Sequence, residues 1–372
     1  MSSASLLSLP VEILYRILDH LDAHFILISL RSLCKRLQAV VDTYDRYELN
    51  LSTMSCSQIK LIFHIIQPEM ISSLILSIGS NTDDIREFCQ LRFLTLIESN
   101  SYDINRYYPK HQLQEKNLIK SFALVLSAIA NPKVRKLHLK NIDYMTEQIS
   151  WPSQCALQHI TLRNCTYTQY HTILRSSSQL QTFVMRDCTI SDDEKALRNS
   201  YSQLVSLTIG DCNLSINDIE FLVSKTPSLI HFKLGSRRKV YDSTFSGSWW
   251  EQFFKTNLPN LTRFQFFFSY TLNNDDVITE VDSLIDSFQT PFWVNMKYCF
   301  VQCDYVMTRT MINLYTTPVN MNSTDSLFQS ITATDSPAAT IRWRISSTDV
   351  MCCPTLAWTN GILDYSETQV CS

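Results

Sequence analysis

The chain has 372 residues, 45% of them hydrophobic and 18% charged, which is enough apolar matter for a sizeable core and too little charge for a disordered polymer. Its 5 glycines leave no GxGxxG, GxxxxGK[ST] or GxSxG motif, which removes the enzyme classes that cradle phosphate or present a serine on a glycine turn. A formal net charge of −3 argues against a dedicated nucleic-acid protein, because neutralising phosphates takes a basic excess.

The N-terminal stretch MSSASLLSLPVEILYRILDHLDAH has no basic leader and carries Glu12, Arg16 and Asp19 among its apolar residues, so no signal peptide is expected. No uncharged apolar run reaches the roughly eighteen residues of a membrane span. The 12 cysteines are too dilute for a disulfide scaffold, and several stand in apolar strand-like runs where a free thiol behaves as a small hydrophobe. The expected setting is therefore reducing, cytoplasmic or nuclear, with no membrane partner.

Leu9 and Pro10 open the first element, whose apolar residues Ile13, Leu14, Ile17, Leu18 and Leu21 recur at helical spacing; proline at a first helical position needs no amide donor. A second apolar periodicity follows at Leu30, Leu33, Leu37, Val40 and Val41, with Arg31, Lys35 and Arg36 on the other faces. The pattern predicts two or three short helices with more apolar positions than they can bury in one another, hence a module that needs a partner surface.

The segment LPVEILYRILDHLDAHFILISLRSLCKRLQAVV resembles the F-box: Leu9, Pro10, Glu12, Ile13, Leu14, Ile17 and Leu18 match its LPxE[IL][LI] opening, and Ser29, Leu30, Arg31, Leu33, Cys34, Lys35, Arg36 and Leu37 match its closing helix. Leu37 stands where that family often has an aromatic. The resemblance implies docking to the adaptor subunit of a cullin-RING ubiquitin ligase, and through it to the cullin scaffold, by Leu9, Pro10, Ile13, Leu14, Ile17, Leu30, Leu33 and Leu37. The alternative is an ordinary helical cap on a larger domain.

From residue 71 the chain repeats a frame L-x-x-L-x-L, at Ile71, Leu91, Val134, Leu157, Leu180, Leu204, Leu229 and Leu261, with steps of 20, 43, 23, 23, 24, 25 and 32 residues. Five steps fall in the leucine-rich-repeat period of roughly 20–29, and the other two read as insertions. Cys165, Cys188 and Cys212 lie three residues after the last frame position, where such repeats place the Asn or Cys that bonds neighbouring turns. Helices are predicted after the strands: from the capping box Ser191–Glu194, from Ser215 through Val223 with Pro227 behind it, from Leu118 to Ile129, and around Val277–Phe288.

Stacked strands of this kind line a concave face with the third, fifth and seventh frame positions. Those 24 positions hold Lys136, His138, Lys140, His159, Arg163, Arg186, His231, Lys233 and Arg263 and no Asp or Glu. Average composition would place only about three cations there. The excess predicts a basic face that takes an acidic or phosphorylated segment of a target protein; a merely solvated face is the alternative, with Glu98, Asp187 and Asp211 close enough to dilute its field.

Beyond Pro291, the runs FWVNMKYCFVQCDYVM, MINLYTTP and TIRWRI alternate as strands do and predict a hairpin-like cap on the open end of the repeats. TPFW and LYTTP also resemble the tails of some F-box proteins with a repeat body. Residues 319–338 read as a loop. Cys299, Cys303 and the Cys352–Cys353 pair lack zinc spacing and no cysteine stands in a catalytic context, so no metal, cofactor or catalytic site is expected. Trp249 and Trp250 are expected to be buried, and Arg237–Arg238–Lys239 to be a solvated loop.

The sequence thus predicts an α/β protein: a three-helix F-box over 1–48, a leucine-rich-repeat solenoid of parallel strands and helices over 49–290, and a β-rich cap over 291–372. The expected function is that of a non-catalytic substrate receptor that holds adaptor and target together, or, as the alternative, of a repeat scaffold that binds the adaptor with no role in degradation.

Overall fold

The computed structural model describes residues 6–52, 54–78, 88–98, 130–140, 151–152, 154–193, 199–238, 242–271, 284, 286–288, 290–295, 299–306, 311–318 and 342–346. The fold is mixed α/β, and the chain divides into two compact units, Met1–Arg163 with His171–Leu180 and Asn164–Tyr170 with Gln181–Ser372. Residue 48 lies within a paired strand, and Trp293 is tied back to the body by its indole N–H, which donates to the Gly247 carbonyl at 3.1 Å.

The first unit begins with the helices. Pro10 precedes α1 (Val11–Leu18), and its carbonyl accepts from the amides of Ile13 and Leu14. Asp22 caps α2 (Ala23–Phe25) by accepting from the His24 and Phe25 amides, which satisfies donors that a helix start leaves open. A π-helical turn, Ile26–Leu30, runs into α3 (Arg31–Leu33); Cys34 is extended at φ −162° and ψ 161°; then α4 (Lys35–Thr43) starts. That break resets the helical phase. Leu37, Val40 and Val41 turn inward, while Leu33, predicted on the same stripe, is 67% exposed.

Side chains close this module. The Arg36 guanidinium donates to the Leu9 carbonyl at 2.7 Å, Arg31 pairs with Asp42 at 2.7 Å, and the Tyr44 hydroxyl donates to Asp19 at 2.7 Å. Tyr47 is buried and donates to the Val41 carbonyl at 2.8 Å; burial, above all, pushes the phenols of Tyr44 and Tyr47 well above their ordinary value. Tyr47 opens β1 (Tyr47–Asn50), so the helices lead directly into the strands. α5 (Cys56–Ile65) follows, with a full capping box between Ser55 and Gln58.

Strands β2 (Ile71–Ile78), β3 (Phe93–Glu98), β4 (Lys136–Lys140) and β5 (His159–Thr166) pair in parallel and in chain order from β1. The frame is in register: Leu74, Leu94 and Leu137 stand side by side, as do Leu76, Leu96 and Leu139, all no more than 2% exposed. Period-2 alternation places the third and fifth positions on the other face, in the rows Ser73, Phe93, Lys136, His159 and Ile75, Thr95, His138, Thr161.

In the second unit, β6 (Thr182–Thr189), β7 (Ser206–Ile209), β8 (His231–Arg238) and β9 (Arg263–Thr271) are again parallel and in register, with Phe183, Leu207, Phe232 and Phe264 in one row. Ser215 caps the helix Ile216–Ser224, as its sequence predicts, accepting from the Asp218 amide at 3.2 Å. Gly235 belongs to β8 because a β-carbon there would lie 2.3 Å from the Gly210 carbonyl oxygen. The predicted cap contains a hairpin: β10 (Cys299–Val306) pairs antiparallel with β11 (Met311–Pro318), which pairs antiparallel with β9, and β12 (Arg342–Ser346) runs parallel to β10.

Three expectations change here. FWVN is not strand but the start of a short helix, Pro291–Asn295, since proline at its first position suits a helix. Arg237 and Arg238 end β8 rather than form a loop, and Arg238 donates to the Asn213 carbonyl at 3.4 Å and to that of Leu214. Of the tryptophan pair, Trp250 is fully buried, with its indole N–H on the Thr244 carbonyl at 2.8 Å, whereas Trp249 is half-buried and stacks on Phe253. The predicted helix Leu118–Ile129, the one after Ser191, most of the one around Val277, Lys239, the 319–338 loop and Cys352–Cys353 lie outside the described residues.

Candidate functional site

Two surfaces carry candidate residues. The first is the helical segment. Among the described residues, the large hydrophobic side chains left exposed are Leu6, Leu7, Val11, Ile13, Leu21, Phe25, Leu33 and Leu61, and all but Leu61 lie in residues 6–33. Short helices cannot turn every apolar residue inward: α1 buries Leu14 and Leu18, which leaves Val11 and Ile13 outside.

Of the eight residues implicated by the sequence, Pro10, Ile13 and Leu33 are exposed, Leu9 and Ile17 are half-buried, and Leu14, Leu30 and Leu37 are buried within the module. The last three therefore act in this structure as core that sets the position of the others. Leu6, Leu7, Val11, Leu21 and Phe25 join the exposed set. Leu6, Leu7, Val11 and Phe25 are legible in the sequence as apolar residues off the main helical stripe, whereas Leu21 reads as part of that stripe.

Residues 6–49 match the family model of the F-box domain. The match covers both helical runs read from the sequence and ends within β1. F-box domains in general dock the adaptor of SCF-type ubiquitin ligases, and through it the cullin. A search of curated proteins finds no match to the chain.

The second set of candidates stands, in each unit, on the strand face that bears the third, fifth and seventh frame positions. In the first unit, Lys136, His138, Lys140, His159 and Arg163 stand on β4 and β5, with Lys136 beside His159 in register. The Lys136 ammonium lies 4.8 Å from the centre of the Phe93 ring, a cation–π contact. The His138 and His159 rings are 5.1 Å apart, and His159 Nε2 is 3.1 Å from the Thr161 hydroxyl. His138 Nε2 is buried without a hydrogen-bond partner.

Burial, followed by the neighbouring cations, lowers both imidazole pKa values: His159 to about 4, with His138 and Lys136 adding to the effect, and His138 below its ordinary value, with Lys140 and Lys136 adding. Both rings are thus neutral at pH 7.

The four residues of the second unit stand differently. Arg186 is paired with Asp211 at 3.3 Å, so the acid just past the strand takes up that charge. Lys233 is half-buried and its pKa is lowered, by burial first and then by Arg263; His231 and Arg263 are exposed and share a row on adjacent strands. All nine residues occupy the frame positions expected of them, but they are not nine equivalent charges.

Cys165, Cys188 and Cys212 are buried. The thiols of the first two donate to the carbonyls of the residues that follow them, Thr166 at 3.3 Å and Thr189 at 3.9 Å, and burial pushes the Cys212 thiol up to about 12. Cys303 is also buried. Among the described residues no group of three or more His, Cys, Asp or Glu could hold a metal ion, and no helix is long and apolar enough to cross a membrane.

Proposed function

We propose that this chain is a non-catalytic substrate receptor of a cullin-RING ubiquitin ligase: the F-box docks the adaptor, and the strand face holds the target protein. The observation that carries the reading is the concentration of exposed apolar side chains in residues 6–33, inside the F-box match, on a chain whose fourth and sixth frame positions are buried. An apolar surface of this kind gains free energy when a partner removes it from water. The in-register parallel strands, with their 20–25-residue steps, support a leucine-rich-repeat-type solenoid as the target-binding body. The cations on its face support an acidic or phosphorylated target segment, and the chain works in the cytoplasm or nucleus.

In this role the chain supplies proximity, and bond-making belongs to the recruited conjugating enzyme. The test is to mix the purified full chain with the adaptor and compare it with Ile13→Asp/Leu33→Asp. The parent should form a stable complex; the variant should lose at least tenfold in affinity with an unchanged melting temperature, because both side chains are exposed. A parent that does not bind the adaptor overturns the reading. Adaptor binding without turnover of any captured target would leave a scaffold instead.

A further inference from the structure

We propose that the histidine pair His138–His159, with Lys136 beside it, is a proton-linked oxyanion site: a carboxylate or phosphate of the target segment binds on this strip together with one proton taken up from solvent. The proposal rests on the reading that the strand face receives an acidic target, and it names the part of the face that does so and the condition that strengthens binding.

The geometry supplies three elements. Two imidazoles stand 5.1 Å apart on adjacent strands, close enough for one oxyanion to face both. His138 Nε2 is buried and unbonded, which is costly for a polar atom and is relieved when an acceptor arrives. Lys136 stands in register with His159 and holds its ammonium over Phe93, so a fixed cation borders the pair.

Among the described residues, the groups that act on the rings are Lys136 on both, Lys140 on His138 and His138 on His159; Arg163 follows on β5, and the β3 residues in register with β4, Phe93 to Ile97, include no acid, Glu98 standing one residue beyond them at the end of β3. Among the described residues no carboxylate acts on them, and burial with the neighbouring cations favours the neutral rings. An incoming oxyanion changes the balance. It brings the negative charge that favours the charged ring and the acceptor that a protonated imidazole, with donors on both nitrogens, requires. One ring takes the proton, since two imidazolium ions at this spacing repel. Binding and protonation then promote each other by linkage, and affinity rises as pH falls.

The pairing in the second unit sets the contrast. Arg186 already has Asp211, so it brings no unmet demand for an anion.

The test uses the full chain and two peptides of one sequence, one rich in Glu and the other carrying phosphoserine. The Glu peptide keeps its charge between pH 7.5 and 6.0, whereas the phosphate gains a proton near pH 6, so the Glu peptide reports on the protein alone. Its affinity for the parent should rise about threefold or more from pH 7.5 to 6.0, with net proton uptake seen by calorimetry in buffers of different ionisation enthalpy. His138→Gln/His159→Gln should still bind at pH 7.5 but lose the pH dependence, and Lys136→Gln should weaken binding at both pH values while keeping the slope. Binding by the parent with no proton uptake, or with the same slope in the histidine variant, overturns the proposal and leaves the acidic-target reading standing. If neither peptide binds at any pH to a chain that still binds the adaptor, the acidic-target reading fails and takes this proposal with it. The calorimetric uptake needs the parent alone, so the proposal stays testable if the histidine variant does not fold.

Discussion

The helices of residues 11–43 and the strands that follow are both rich in leucine, yet they treat it in opposite ways. On β2 to β4 and β6 to β9, the fourth and sixth frame positions are no more than 2% exposed, because each strand has a neighbour whose side chains stand beside its own. In the helical segment, Ile13 is 40% and Leu33 67% exposed. Stacking consumes apolar surface with every added unit, whereas short helices have too few internal neighbours to do so. The difference teaches where this chain offers surface to another protein.

The largest effect should come from cutting into the stacked rows. Phe232→Ala removes a ring that stacks on Phe264 and lies 1% exposed, and it should cost about 3–5 kcal/mol in denaturant unfolding. Leu33→Ala, the same kind of truncation on the exposed helix, should stay within about 0.5 kcal/mol. Equal costs for the two would erase the distinction between the regions. Next, Gly235→Ala pushes a methyl against the Gly210 backbone rather than against a movable side chain, and should destabilise by about 1–3 kcal/mol. A smaller loss, about 1 kcal/mol, is expected for Ser215→Ala, which removes the hydroxyl that accepts from the Asp218 amide.

pH sharpens the comparison from another side. His138, His159 and His171 all have folded-state pKa values below 6.5, mainly through burial. As pH falls below about 6.5 the unfolded chain takes up protons that the folded chain refuses, so stability should decline from there toward pH 4. His159→Gln should flatten part of that decline, measured as the midpoint of urea unfolding at several pH values. The smallest effect is expected at the exposed ion pair Arg186–Asp211, where Arg186→Gln should change stability by less than about 1 kcal/mol and leave the affinity for an acidic peptide nearly unchanged.

Much of this was legible in the residues. The repeat frame named the positions that pair and the face that carries the cations, because strand alternation has a period of two and admits no drift. The N-terminal motif marked the F-box segment to within a few residues of the family match. Other features could not be read in this way. The extended Cys34 turns Leu33 outward although the apolar spacing continues across it, since a periodic pattern does not report a break in backbone phase. Pro291 reads as a strand boundary in an aromatic-rich run and is in fact a helix start.

The sequence by itself determined the periods, the caps and the list of candidate side chains, because local spacing and local hydrogen bonding suffice for each. Tertiary structure decided which candidates keep their charge or their exposure. Asp211 lies 25 residues from Arg186 and neutralises it, while His159 lies 21 residues from His138 and leaves both rings short of an anion. Electrostatics and burial depend on distance in space, and the parallel pairing of strands sets those distances between residues far apart in the chain.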